Sequence, residues 1–196
     1  MRHFLGIQDS EFIRGKIPMT KSEIRILALA KARIAEDDII VDVGAGTGSL
    51  SIEAALLAPY GKVYSIEREP EGIDLIQANS KKFAVPNLTA IAGSAPEALS
   101  GLPSCDVVFI GGSGGKLDQI IHSCDQLLKP NGRMIITAVT IETLFQALKL
   151  MQSKSHYEVE AFSAQIARIN QIASYNMLQA LNPINIIACS KGGQYA

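Results

Sequence analysis

Several residue types are scarce in this sequence, and their scarcity excludes whole classes of protein. Tryptophan is absent, and the three cysteines, Cys105, Cys124 and Cys189, are widely spaced with no C-x-x-C pair. This pattern argues against a zinc ribbon, a dithiol centre or a disulfide framework, and it favours buried thiols in a reducing compartment. We therefore expect no metal site.

Long apolar runs are also missing. No segment approaches the roughly 18 to 20 apolar residues of a membrane span, and residues 1–12 carry charges where a signal peptide would have its apolar stretch. We therefore expect a cytoplasmic protein with no membrane partner.

Neither sign of charge is in excess. With 18 basic and 19 acidic residues the formal net charge is −1, so the composition shows no broad positive field of the kind that neutralises nucleic-acid phosphates. We expect no nucleic-acid partner.

At 196 residues the chain can bury a substantial core but is short for two domains, so residues 1–196 are predicted to form one domain.

Short β-branched runs alternate with segments of helical spacing along most of the chain. The predicted strands are 39–43, 62–66, 88–92, 106–110 and 133–138, and the predicted helices are 21–35, 50–57, 70–83, 117–128 and 143–151. A capping box of Thr20 and Glu23 is predicted to begin the first helix, and the proline and glycine of 129–132 to end the fourth. This alternation is typical of a doubly wound, mostly parallel α/β sheet.

The rhythm changes after Ser155. Residues 157–164 and 184–190 are both strand-like, and we expect them to close the sheet as an antiparallel pair. The polar stretch between them has only partial helical spacing and is predicted to be a loop or a short helix.

Glycines follow the first strand directly, in the segment Gly44-Ala45-Gly46-Thr47-Gly48. In an open parallel sheet, ligands bind beyond the carboxyl ends of the strands, and glycines let the backbone turn sharply and approach a ligand closely. Ser49 stands where a dinucleotide fingerprint has its third glycine, which disfavours a nicotinamide dehydrogenase. Glu67 ends the second strand, where a carboxylate can accept hydrogen bonds from ribose hydroxyls; the alternative is a solvated surface glutamate.

The segment from Val41 to Gly48, together with Glu67, resembles motif one and the ribose-binding acid of class I S-adenosylmethionine methyltransferases. This resemblance implies a Rossmann-like, seven-stranded sheet with an antiparallel terminal strand, S-adenosylmethionine as the cofactor, and methyl transfer.

A narrower resemblance covers nearly the whole chain. The segments 6–12, 18–21, 93–99 and 111–115 are together similar to the decarboxylating precorrin C15-methyltransferases of cobalamin biosynthesis, in their stand-alone form. The resemblance implies a cobalt-precorrin or other precorrin tetrapyrrole as substrate, a homotetramer, and a separate C5-methyltransferase as functional partner.

The same resemblance implies which residues surround the cofactor. They are Thr20, Gly44, Ala45, Gly46, Thr47, Gly48, Glu67, Ser94 and Ala95. Ser94 departs from the family, which usually has an acid there to meet the adenine amino group. Thr20 also has the competing role of helix cap. Residues 1–20 are expected to lie near the active site.

The glycine-rich segment after the fourth strand is the expected substrate side of the site. Gly111, Gly112, Ser113 and Gly114 would let a flat macrocycle lie close to the cofactor, although a flexible connection is the alternative. A precorrin also carries many carboxylates, so the basic residues Arg14, Lys16, Lys21 and Arg25 are candidates to bind them, or else form a solvated basic face.

Methyl transfer from a sulfonium requires alignment and no dedicated nucleophile, and the three histidines are scattered. No catalytic residue is assigned. Two other functions stay open at this point: a tRNA methyltransferase of the same fold, and a noncatalytic cofactor-binding domain, which would need no acceptor pocket beside Gly111 to Gly115.

Overall fold

The structure is a computed structural model that describes residues 5–192. Its helices are α1 (Ser22–Ala32), α2 (Ser49–Leu57), α3 (Pro70–Lys82), α4 (Leu117–Leu127) and α5 (Ile141–Gln152). Its strands are β1 (Ile39–Val43), β2 (Lys62–Glu67), β3 (Leu88–Ala92), β4 (Cys105–Ile110), β5 (Leu128–Ala138), β6 (Tyr157–Ala164), β7 (Ala167–Ile172), β8 (Tyr175–Ala180) and β9 (Ile184–Lys191).

Seven strands form the main sheet, in the order β3-β2-β1-β4-β5-β9-β6. The strands from β1 to β5 pair in parallel, and β9 is antiparallel to both β5 and β6. The chain winds outward from β1 to β3 and then returns to β4 beside β1. This reversal places the ligand crevice of the fold at the carboxyl ends of β1 and β4. The predicted sheet, with its antiparallel last strand, is confirmed.

Two apolar layers cover the sheet. On β1, Val41 and Val43 pack with α4 and α5, whereas Ile40 faces the opposite layer with α1 and α2. Successive side chains of a strand point to opposite faces, so a five-residue apolar strand serves both layers. The three cysteines are buried and unpaired, as predicted. None of the helices within 5–192 has the length and apolar character needed to cross a membrane.

The predicted capping box at the start of α1 is wrong. The helix begins one residue later, with Lys21 as its N-cap and no side-chain cap bond. A carboxylate distant in sequence caps the helix instead: the Ser22 N–H donates to Asp9 Oδ1 at 3.0 Å. Thr20 presents its carbonyl oxygen to Arg25 Nη1 at 2.5 Å.

Strand β5 starts five residues earlier than predicted. The segment 129–132 follows the end of α4, as expected, but it forms a bulge inside β5 and not a separate turn. At this bulge the pairing with β4 shifts from Cys105 opposite Leu128 to Val107 opposite Arg133. Asn131 adopts a left-handed conformation in this bulge (φ 63°), which asparagine tolerates better than most residues.

The predicted loop or short helix between the closing strands is also wrong, because β7 and β8 form an antiparallel hairpin there. Nearly all of its side chains are exposed. Neither face packs on the core, so the hairpin lacks the alternation of apolar and polar residues that marks a half-buried strand.

Candidate active site

A pocket of about 700 Å³ opens at the carboxyl ends of the central strands, within the usual range of small-molecule sites, about 300 to 1,000 Å³. Its wall comes from seven parts of the chain: the N-terminal segment, the turn after β1, the end of β2, the segment after β3, the segment after β4, the end of β5, and the residues flanking the β7–β8 hairpin. The ligand crevice expected where the winding of the sheet reverses is therefore present as a pocket.

The turn after β1 has little room for side chains. Gly44 and Gly46 have φ values of +74° and +59°, in the left-handed region that glycine adopts freely. A Cβ on Gly44 would lie 2.8 Å from the backbone nitrogen of Gly112, and one on Gly46 would lie 3.1 Å from the carbonyl oxygen of Pro18. The turn is thus packed between the N-terminal segment and the glycine loop after β4.

Glu67 holds this turn in place. Its Oε2 accepts from the Gly46 N–H at 2.8 Å, and its Oε1 accepts from the N–H groups of Arg68 and Glu69 at 2.8 and 2.9 Å. The residue is only 8% exposed, so the surface-glutamate alternative is wrong. Gly72 of α3 makes space for it, since a Cβ there would come within 2.5 Å of Glu67 Cγ.

The predicted cofactor residues fall into two groups. Those on the pocket wall are Thr20, Gly44, Ala45, Gly46, Glu67, Ser94 and Ala95. Thr47 and Gly48 lie behind the wall: the Thr47 hydroxyl is buried without a hydrogen-bond partner, and a Cβ on Gly48 would touch Ile76. These two residues shape the turn from behind.

The predicted substrate residues lie on the opposite side of the turn. Gly111, Gly112, Ser113 and Gly114 all line the pocket, and the Gly44–Gly112 contact joins them directly to the cofactor side. No histidine or cysteine of residues 5–192 lines this pocket. The arrangement suits a reaction driven by positioning.

Asp42 lies in β1 just below the turn. It is 2% exposed, and its Oδ2 accepts from the Ser51 hydroxyl at 2.5 Å. Burial raises the pKa of this carboxyl to about 6; the hydrogen bond from Ser51 opposes the rise and the charge of Glu67 adds to it. Ser65, the lateral partner of Asp42 on β2, has a buried hydroxyl with no partner.

A buried ionic network fixes the N-terminal wall. The Arg25 guanidinium, fully buried, lies 2.6 Å from Glu53 Oε1 and 2.9 Å from Asp9 Oδ1, and it also donates to the carbonyls of Ile7 and Thr20. All three nitrogens of the guanidinium already donate hydrogen bonds within the protein, so Arg25 is not available to a substrate carboxylate. Of the four predicted cations, only Lys21 lines the pocket.

The β7–β8 hairpin is tied to the same network through Arg168. Its guanidinium lies 3.1 Å from Asp9 and 2.8 Å from Glu23. Although burial alone would raise it, the pKa of Asp9 is held below its ordinary value by the hydrogen bonds from Arg25 and Arg168. The hairpin thereby keeps Ile166 and Leu181 on the pocket wall.

Sequence reasoning missed two cations at the pocket, Arg68 and Lys116. Both adjoin motifs that were recognised, since Arg68 follows the acid that ends β2 and Lys116 follows the glycine loop. Their position next to those motifs is the sequence signal that could have identified them as pocket residues. Gly72 was also missed, although an isolated glycine within a helical pattern is itself a sign of close packing.

Comparison with known proteins agrees with this geometry. The family model described as "Precorrin methyltransferase domain" matches residues 12–191. A Sulfurisphaera tokodaii protein named "Probable cobalt-precorrin-6B C(15)-methyltransferase (decarboxylating)" is 40% identical over 93% of this chain and 95% of its own. A Salmonella typhimurium protein with the same name, without "Probable", is 37% identical over 94% and 96%.

Among solved structures, a precorrin-6y C5,15-methyltransferase from Geobacter metallireducens superposes with a TM-score of 0.90 at 40% identity, covering 95% of this chain and 97% of the other. The fold and the site thus define a Rossmann-like methyltransferase. Within that class, the chain belongs to the precorrin methyltransferase family.

Proposed function

We propose that this protein transfers a methyl group from S-adenosylmethionine to C15 of a cobalt-precorrin and promotes decarboxylation of the acetate side chain on ring C, in cobalamin biosynthesis. One observation supports this most directly. A single pocket joins the Gly44–Gly46 turn, held by Glu67, to the glycine loop at Gly112. The names of the relatives supply the reaction and the tetrapyrrole.

The residues of the turn fit the adenosine part of the cofactor. Glycines at 44 and 46 allow close approach of a ligand to the backbone, and two further predicted cofactor residues, Ser94 and Ala95, line the same pocket. The Glu67 carboxylate has about four acceptor positions, of which three are used by backbone N–H groups. We therefore expect it to accept one ribose hydroxyl, at Oε2.

The other side of the pocket is suited to a flat acceptor. Gly111, Gly112 and Gly114 carry no side chains to separate a macrocycle from the turn. When bound, S-adenosylmethionine supplies the sulfonium methyl group. The chain's part is to align the acceptor carbon and exclude water, and full orientation of reactants is worth up to about 7 to 11 kcal/mol. The conjugated ring of the substrate serves as the electron sink for loss of carbon dioxide.

Neither alternative function gains support. A noncatalytic cofactor-binding domain would need no pocket beside the glycine loop, yet this loop lines one. A tRNA methyltransferase needs a concentrated basic face, and the formal net charge of −1 offers no sign of one.

We also propose that the protein is a homotetramer in the cytoplasm, with a separate C5-methyltransferase as its functional partner. The β7–β8 hairpin offers a contact surface for other copies. Large exposed apolar side chains of the described chain concentrate there: Ile169, Ile172, Tyr175, Met177 and Leu178. Apolar patches of this kind on a soluble protein mark interaction sites.

Calorimetric titration with S-adenosylhomocysteine, followed by a methyl-transfer assay on cobalt-precorrin-6B, tests the proposal. We expect micromolar binding and a methylated, decarboxylated product, and no binding of NAD as the control ligand. Binding without transfer would overturn the substrate and leave the methyltransferase class. Absence of binding would overturn the assignment of the cofactor.

A further inference from the structure

Two cations, Arg68 and Lys116, adjoin the glycine loop on the pocket wall. Arg68 extends from the end of β2, and its Nη1 lies 3.2 Å from the position of a Cβ on Gly114. Lys116 closes the turn after that loop, where its backbone N–H donates to the Ser113 carbonyl at 2.9 Å. Both residues line the pocket. A ligand lying on the glycine loop would therefore be close to two positive charges.

Each of these cations is paired with a glutamate at the surface. Arg68 Nε lies 3.0 Å from Glu69 Oε1, and Lys116 Nζ lies 2.9 Å from Glu97 Oε1. The four side chains are between 44% and 65% exposed. The hydrogen bond from Lys116 lowers the pKa of Glu97, so Glu97 is ionised at neutral pH. Exposed pairs of this kind contribute little to stability, so another carboxylate can replace the glutamate at little cost.

Two other cations near the pocket, Arg25 and Arg168, are held differently. Arg25 is enclosed by Glu53, Asp9 and two carbonyls, and Arg168 is shared between Asp9 and Glu23. Both fix the wall and would have to break several bonds to meet a ligand. Arg68 and Lys116 would each have to break only one exposed ion pair to meet a ligand.

We propose that Arg68 and Lys116 bind carboxylate groups of the substrate beside the glycine loop, and that Glu69 and Glu97 occupy them in the free protein. This inference rests on the proposed function, because a tetrapyrrole with several carboxylates is the ligand that would need both cations. Arg68 can grip one carboxylate with two parallel N–H bonds, whereas Lys116 acts as a point charge. Glu69 and Glu97 thus compete with the ligand.

Because the glutamate competes with the substrate, substituting the two members of one pair should change the KM for the tetrapyrrole in opposite directions. Lys116→Gln removes a charged hydrogen bond to the substrate, so we expect the KM for the tetrapyrrole to rise about tenfold or more. Glu97→Gln removes the competitor and should lower that KM by a factor of about two to five. The affinity for S-adenosylhomocysteine should not change in either variant. Arg68→Gln and Glu69→Gln should behave in the same way.

The matched controls are Lys149→Gln and Glu158→Gln, which make the same changes of charge at exposed positions outside the pocket. Equal shifts in the controls would reveal a general effect of net charge and overturn the proposal. So would KM values that rise in both Lys116→Gln and Glu97→Gln, because a structural ion pair loses stability whichever partner is removed.

Binding of uroporphyrin, a polycarboxylate tetrapyrrole, followed by fluorescence separates this inference from the proposed function. If the wild type binds uroporphyrin with the opposite responses described above but does not methylate cobalt-precorrin-6B, the proposed reaction fails and the carboxylate site stands. If the wild type methylates the precorrin and the KM is unchanged in every variant, the carboxylate site fails and the reaction stands.

Discussion

Replacing Glu67 tests the cofactor side of the site most sharply, because this carboxylate has two roles that can be measured separately. It clamps the turn through the N–H groups of Gly46, Arg68 and Glu69 at 2.8 to 2.9 Å, and it is proposed to accept one ribose hydroxyl. Glu67→Ala leaves the three N–H groups without their acceptor. Hydrogen bonds to charged groups are worth about 1.5 to 3 kcal/mol each, so both stability and ligand binding should fall.

The contact between Glu67 and the ribose can be measured as the dependence of the affinity on the ribose hydroxyl, with and without the carboxylate. Calorimetry should show that wild-type protein binds S-adenosylhomocysteine more tightly than its 2′-deoxy or 3′-deoxy analogue by about 1 to 3 kcal/mol. Glu67→Ala should bind all three ligands weakly and with nearly equal affinity. Urea unfolding of the same variant measures the loss of the clamp separately.

Glu158→Ala, at an exposed position of β6, is the matched control and should match the wild type in both assays. If Glu67→Ala kept the full preference for the ribose hydroxyl, the carboxylate would not contact the ribose, and its role would be confined to the turn. Unchanged affinity for S-adenosylhomocysteine would refute the cofactor site as a whole.

Asp42→Asn is expected to change the pH dependence of stability. Burial raises the pKa of Asp42 from 3.8 to about 6, so the wild-type free energy of unfolding should fall by about 2 kcal/mol relative to the variant as pH rises from 4 to 7. Urea unfolding of both proteins across that range measures the difference, and parallel curves would contradict the raised pKa. Leu178→Glu, at an exposed apolar position of the β7–β8 hairpin, should dissociate the proposed tetramer in light scattering with S-adenosylhomocysteine affinity retained; an unchanged mass would exclude this face as the contact.

The order of elements and the location of the site followed from short-range patterns. Residues 39–43 are apolar enough to be buried on both faces, and the glycines after them supply the positive φ values that the turn requires. Glu67 was located in the same way, as the last residue of the next strand. Such features depend on neighbours within a few positions, and local sequence contains that information.

Features that depend on distant residues were predicted less well. The local capping signal at Thr20 was overridden by Asp9, whose carboxylate satisfies the Ser22 N–H from 13 positions away. Arg25 was a candidate either to bind substrate carboxylates or to be solvated, yet Glu53 and Asp9 enclose it. The hairpin has no core-facing pattern, and its link to the rest of the chain joins Arg168 to Asp9 across 159 positions.

By itself, the sequence determined the doubly wound α/β sheet, the glycine turn and the acid that serves it, because steric limits on the backbone and the burial of apolar runs act locally. The tertiary structure decided which cations face the pocket. Arg25 and Lys116 are both basic residues close to recognised motifs, and only their surroundings separate them: a buried guanidinium must be fully paired, whereas an exposed ammonium keeps a pair that a ligand can replace.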